Sequence, residues 1–245
     1  MTIPRLFLDA PLAAGATLAV SEAQARYLAT VLRLGAGADL RVFNGVDGEW
    51  RAEISGVTKK GVALTLSALT RPQLYPPDLM LLFAPVKRQG TDLLVEKATE
   101  LGVRILQPVI TRRTNAETVR TGRLRAIAIE AAEQTERLDV PDVRAPLALA
   151  KVLDGWDATR RILFADEAGD ARPIAAVASS LDRAPLALLT GPEGGFDPDE
   201  RRLLRSLPFL TPVSLGPRIL RAETAVIAAL ALVQALWGDW LAPQL

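Results

Sequence analysis

The chain has 245 residues, 49% apolar and 23% charged, a balance suited to one large globular domain or two smaller ones. It contains no cysteine and no histidine, which excludes disulfides, Cys/His metal sites, thiolate nucleophiles, Ser-His-Asp machinery and a histidine general base. The formal net charge of +1 does not mark a nucleic-acid binder, so any basic surface has to come from local clustering.

The first twenty residues are mildly apolar, but Asp9, Pro11 and Gly15 interrupt them, so they read poorly as a signal peptide. Ser21 and Gln24 form a capping-box pair that predicts a helix through Tyr27, Leu28, Val31 and Leu32. Strands are expected at Asp39–Phe43, Glu49–Val57 and Val62–Leu69. Asn44-Gly45, Asp47-Gly48 and Lys60-Gly61 supply hairpin turns between them. Strands set so closely suggest a small barrel. Arg71–Asp78 (RPQLYPPD) reads as a linker, dividing the chain into domains 1–72 and 73–245.

Beyond the linker the rhythm becomes strand-helix. Strands are expected at Leu79–Ala84, Ile105–Thr111, Ile162–Ala165, Leu186–Thr190 and Thr211–Leu215. Helices are expected at Thr91–Leu101, closed by Gly102, at Glu117–Leu138, and between the strands at 162 and 186. A last helix runs from Leu220 to Trp237, with Val226, Ile227, Leu230, Val233 and Trp237 on its core face and more apolar residues elsewhere. It is expected to lie inside the domain or in a dimer interface. Its apolar run, Thr224–Gly238, is shorter than the roughly 20 residues a membrane helix needs, so a cytoplasmic protein with no membrane association is expected. The alternation predicts a parallel α/β sheet.

Leu188–Phe196 reads LLTGPEGGF. A buried strand runs into a glycine turn, and Asp197, Pro198 and Glu200 then supply an N-cap, a proline at N1 and a glutamate at N3. The turn therefore sits at the carboxyl end of a strand, where open α/β sheets bind ligands. Read alone it is equally compatible with a tight turn that binds nothing. It is neither a P-loop nor a G-x-G-x-x-G fingerprint.

LLTGPEGGF followed by SLGPRILRAETA (Ser214–Ala225) resembles the cofactor-binding half of the SPOUT methyltransferases, and more narrowly the bacterial 16S ribosomal RNA uracil-N3 methyltransferases. PRLFLD near the N-terminus, the Tyr27–Arg33 stretch, LLVEKATELGV at Leu93–Val103 and EAAEQTERLDVP at Glu130–Pro141 support the narrower likeness. Two positions depart from the family pattern: Arg26-Tyr27 replaces a histidine before VLR, and Glu136 replaces a small residue. The resemblance implies an N-terminal PUA-like β-barrel, a C-terminal α/β domain with a trefoil knot, a homodimer, and S-adenosylmethionine as cofactor with no metal. It implies that backbone groups of Leu189, Gly191, Leu215 and Leu220 hold adenine and ribose. Thr190, Pro192, Glu193, Gly194, Gly195, Gly216, Ile219, Arg221 and Thr224 complete the implied pocket.

Methylation at uracil N3 requires loss of the imide proton. With no histidine or cysteine, the base is a carboxylate, a water or no residue at all; Glu193 and Glu223 are the candidates. Arg221 or Arg218 could stabilise the developing negative charge. Glu223 also suits the first turn of a helix for dipole reasons alone, and Arg221 could be a structural ion pair. The absent cysteine closes the usual route to pyrimidine C5.

Between Arg104 and Arg125 six arginines, including Arg112, Arg113, Arg120 and Arg123, face a single acid, Glu117. Phosphate contacts are one use for them; ion pairs along a solvated helix are the other. Arg5, Arg33, Arg41, Lys59 and Lys60 are expected RNA contacts in the first domain, and Lys87 and Arg88 lie near the glycine turn. The expected partner is 16S ribosomal RNA or the small ribosomal subunit. A SPOUT enzyme with another target, such as a ribose 2′-hydroxyl, and a catalytically silent assembly factor are the alternatives.

Overall fold

The computed structural model describes residues 3–58, 61–115, 118–167, 170–179, 181–182 and 184–241. It divides into two compact units, 1–75 with 132–140 and 76–131 with 141–245. Lys59, Lys60 and Glu117 lie outside the described residues.

In the first unit, strands β1 (Arg5–Phe7), β2 (Thr17–Ala19), β3 (Asp39–Phe43), β4 (Glu49–Thr58) and β5 (Gly61–Arg71) form a sheet in the order β1-β3-β4-β5-β2. Its core follows the two-residue period of the strands: Leu40 and Val42, Ala52 and Ile54, and Val62, Leu64 and Leu66 meet on one face. The β3–β4 hairpin closes on Asn44, whose Oδ1 accepts the N–H groups of Val46 and Asp47. Gly45 and Gly48 take the positive φ this turn requires.

Helix α1 (Glu22–Arg26) opens on the expected capping box, but its continuation differs. Tyr27–Val31 is one turn of π-helix, with Leu32 N–H bonded to the Tyr27 carbonyl. The wider turn rotates the predicted apolar face, so Leu28 alone of its four residues is buried while Tyr27 and Val31 are exposed.

Residues 132–140 join the first unit through Arg5. Its Nε donates to Glu49 Oε2 at 2.8 Å, and Nη1 and Nη2 donate to the carbonyls of Ala132, Glu133 and Arg137. The guanidinium also lies 4.5 Å from the centre of the Phe43 ring. A buried cation so engaged is not available to RNA, which corrects the expectation for Arg5: it satisfies the open carbonyls at a helix C-terminus.

The second unit contains β6 (Leu79–Phe83), α2 (Arg88–Glu100), β7 (Ile105–Ile110), α3 (Thr121–Gln134, whose last residues belong to the first unit), β8 (Asp142–Val143), β9 (Leu147–Ala148) and α4 (Leu149–Asp154). It continues with β10 (Arg161–Ala165), β11 (Arg172–Pro173), α5 (Ile174–Ala178), β12 (Leu186–Thr190), α6 (Pro198–Ser206), β13 (Leu210–Ser214) and α7 (Ala222–Leu236). Its strands pair in parallel in the order β11-β13-β10-β12-β6-β7-β8, with β9 on β7. All five residues of β6 and of β12 are buried, as a sheet covered on both faces demands. Met80, Leu82, Ile162, Phe164, Ala187 and Leu189 pack with Leu149 and Leu204 on one face. Helix α7 packs against α2 and α5.

Helix α3 is shorter than the predicted Glu117–Leu138. Glu136 falls beyond it in the left-handed region (φ 61°). That conformation favours glycine, and it explains why a small residue is expected there.

Candidate cofactor site and comparisons with known proteins

The glycine turn is folded back onto the core by Phe196, whose buried ring meets Phe164 edge-on at 5.0 Å. A Cβ on Gly191 would stand 2.6 Å from that ring, so only glycine lets the chain leave β12 and return so closely. Gly195 has φ 66°, donates its N–H to the Pro192 carbonyl, and has no room for a Cβ beside the Glu167 carboxylate. Helix α6 then starts on a reciprocal capping box between Asp197 and Glu200.

Around this turn, the carboxyl ends of three adjacent strands, β10, β12 and β13, bound a cavity of about 470 Å³. That is within the size range of small-molecule sites. Thr190, Gly191, Pro192, Glu193 and Gly195 form one side of it, and Leu215, Gly216, Ile219 and Leu220 another. Ile219 lines the cavity yet is 95% exposed, an apolar side chain left for a ligand or partner to cover.

Other expected residues stand elsewhere. Leu189 lies in the core beneath, and Gly194 turns its carbonyl to Arg113 Nη1 at 3.1 Å. Arg221, the N-cap of α7, and Thr224 are exposed and outside the cavity lining. Glu223 is half-buried, its Oε2 3.7 Å from where a Cβ on Gly90 would stand. Arg218, by contrast, is part of the lining.

A further wall, not expected from the sequence, is built by Ala165, Asp166 and Glu167. The signal was present: two acids directly follow an apolar strand at the ligand-binding edge of the sheet. The Asp166 side chain has no solvent exposure and lies between Arg201 (3.2 Å) and Arg205 (2.6 Å) of α6. Glu167 pairs with Arg201, and Arg205 also holds Asp170, pulling its carboxyl down to about 2. The loop after β10 is thereby latched to the helix that follows the glycine turn.

The expected RNA-binding cations separate into two groups. Arg112 bonds Asp197 and Asp199, which raises its already high pKa, and Arg113 bonds the glycine turn. Both brace the site rather than standing free. Arg123 is paired with Asp92. Arg33, Lys87, Arg88 and Arg120 are exposed, and no ion pair or side-chain hydrogen bond of theirs is found among the described residues.

Residues 74–234 match the model of the RNA methyltransferase domain, and residues 20–67 that of the RNA methyltransferase PUA domain. The chain belongs to this RNA methyltransferase family. It is 34% identical to ribosomal RNA small subunit methyltransferase E of Rickettsia conorii, over 96% of this chain and 97% of that one. The protein of the same name from a Synechocystis strain is 36% identical over 90% of this chain and 74% of its own length. A methyltransferase of Legionella pneumophila solved with bound S-adenosylmethionine superposes with a TM-score of 0.89, at 30% identity, over 98% of this chain and all of the other. Ribosomal RNA small subunit methyltransferase E of Neisseria gonorrhoeae, also bound to S-adenosylmethionine, gives 0.86 at 27% identity, with the same coverage. The two-part architecture, a small N-terminal β-sheet unit and a parallel-sheet SPOUT-like methyltransferase domain, is that of the family.

Proposed function

We propose that this RNA methyltransferase uses S-adenosylmethionine to methylate N3 of a uridine in 16S ribosomal RNA, acting on the small ribosomal subunit. It works in the cytoplasm as a homodimer, and the segment from β13 through α7 is threaded as a trefoil knot. The observation that carries the reading is the cavity where GPEGG and LGPRIL converge, in a chain so similar to proteins named for small-subunit rRNA methylation.

The cavity suits the cofactor chemically. Glycine-lined backbone permits close approach, apolar Leu215, Ile219 and Leu220 suit an adenine ring, and Glu193, Glu167 and Arg218 suit an amino-acid zwitterion. When bound, S-adenosylmethionine supplies a methyl group on a sulfonium, an electrophile for a nitrogen nucleophile. The chain's own task is to make that nitrogen nucleophilic. The N3 lone pair of neutral uracil is delocalised into two carbonyls, so a base takes the N3 proton as the N–CH3 bond forms and the sulfonium C–S bond breaks. Glu223 is one candidate base: Ala222 before it lines the cavity, and its own carboxylate stands at the edge of the site beside Gly90 of α2. Glu193 lines the cavity itself. Arg218, which lines the cavity, or Arg221, the N-cap of α7 next to the lining residues Leu220 and Ala222, stabilises charge growing on the uracil carbonyl oxygens.

The test is methyl transfer from labelled S-adenosylmethionine to unmodified 16S rRNA and to small subunits, followed by digestion to nucleosides. Label in 3-methyluridine is expected. Label in a ribose-methylated nucleoside would move the target to the 2′-hydroxyl, and failure to bind S-adenosylmethionine in calorimetry would leave a silent RNA-binding factor.

A further inference from the structure

A second cavity, of about 460 Å³, opens on the second unit where β6 gives way to α2. Pro85 and Val86 form its floor, and Arg88, Arg120, Arg123 and Asp92 its charged walls. Nothing in the cofactor chemistry uses it.

Its position is set by the sheet. Strand β6 is the direct neighbour of β12, with Phe83 opposite Thr190 and Ala84 N–H bonded to the Thr190 carbonyl. The second cavity therefore lies at the same carboxyl edge, one strand over from the first. The first turn of α7 stands where the two meet. Ala222 lines the cofactor cavity, and Glu223 reaches Gly90, which lies in α2 between Arg88 and Thr91 of the second cavity.

Its charge is unbalanced. Asp92 is committed to Arg123 through Oδ2 and Oδ1 at 2.5 and 3.1 Å. Among the described residues, Arg88 and Arg120 have no acidic partner. Gathering guanidinium groups around one concavity is unfavourable unless an anion completes it. Forked arginine donors match phosphate oxygens.

We infer that this cavity seats a nucleotide of the acceptor RNA strand, with its phosphate between Arg88 and Arg120 and its base toward Glu223. The inference rests on the RNA-methyltransferase reading and adds a location for the substrate. It gives Arg88 and Arg120 a shared role, and it makes Asp92 a positioning residue that holds Arg123 at the rim.

The experiment uses the full chain and, as probe, a fluorescent single-stranded oligoribonucleotide containing uridines, titrated at several salt concentrations. Calorimetry with S-adenosylmethionine is run on the same proteins. The double variant Arg88→Gln/Arg120→Gln is compared with wild type and with Arg202→Gln, an exposed arginine of α6 outside the cavity. Loss of two phosphate contacts makes the slope of log affinity against log salt shallower by about 1.4, at about 0.7 per single-strand phosphate. Affinity at low salt falls at least about tenfold, while S-adenosylmethionine binding stays at the wild-type value and reports an intact fold. An unchanged slope, or a loss no greater than that of Arg202→Gln, would overturn the inference with the methyltransferase reading intact. Absence of S-adenosylmethionine binding by the wild type would instead overturn the reading beneath it.

Discussion

Arg205 reaches from α6 to Asp166 at the end of β10, donating through Nε to Oδ2 at 2.7 Å, and its other nitrogens hold Asp170. The Asp170 carboxyl is lowered to about 2, chiefly by that hydrogen bond. A carboxyl with a depressed folded pKa contributes stability that is fully present above its unfolded value and lost as pH falls through the folded one. The stability difference between wild type and Asp170→Asn is therefore constant above about pH 5, shrinks steadily as pH falls through the ordinary value of 3.8, and is largely lost by about pH 2. Urea titrations across that range check it. A difference independent of pH would show that the Arg205 bond does not shift Asp170.

Gly195 carries a positive φ and lies against the Glu167 carboxylate. Gly195→Ala forces a left-handed alanine, costing about 1–2 kcal/mol, and displaces Glu167 from the cavity wall. Affinity for S-adenosylmethionine, measured by calorimetry, falls at least about tenfold. Wild-type affinity in this variant would remove the turn from the cofactor site.

Glu223 and Arg221 flank the cofactor cavity without lining it. Glu223→Gln lowers turnover by roughly 10²–10⁴, the usual contribution of a general base, and flattens the acid limb of the pH–rate profile. Arg221→Ala likewise lowers turnover far more than cofactor affinity. Equal losses in both quantities would make either one a binding residue.

Glu136 is left-handed and its ion pair with Arg71 is long (3.7 Å) and exposed, so little is lost with the side chain. Glu136→Gly relieves the backbone and stabilises the protein by about 0.5–1 kcal/mol, after the entropy glycine adds to the unfolded chain. A higher urea midpoint at unchanged slope is expected; a lower one would mean that the side chain matters more than its backbone.

Local chemistry was legible in the sequence wherever it decides structure by itself. Ser21 with Gln24 and Asp197 with Glu200 form their capping boxes. Leu186–Thr190 is the expected strand, and the glycine turn and Leu215–Leu220 line one cavity, as the sequence pairing of the two motifs suggested. What escaped depends on partners distant in the chain. Arg5 reads as a surface cation until the carbonyls of 132, 133 and 137 arrive beside it. Arg112 and Arg113 read as phosphate ligands until α6 and the glycine turn supply their acceptors. Asp166 and Glu167 belong to the site only because the strand order sets β10 between β12 and β13. The buried Gln234 lies on the expected face of α7 by spacing but is polar, and its partner, the Leu101 carbonyl, belongs to the end of another helix.

The most direct test of the central claim is mass spectrometry of nucleosides from the 16S rRNA of a strain lacking this gene. The account predicts loss of 3-methyluridine and its return when the wild-type gene, but not one encoding Glu223→Gln, is restored. Unchanged 3-methyluridine in the deletion strain would contradict it.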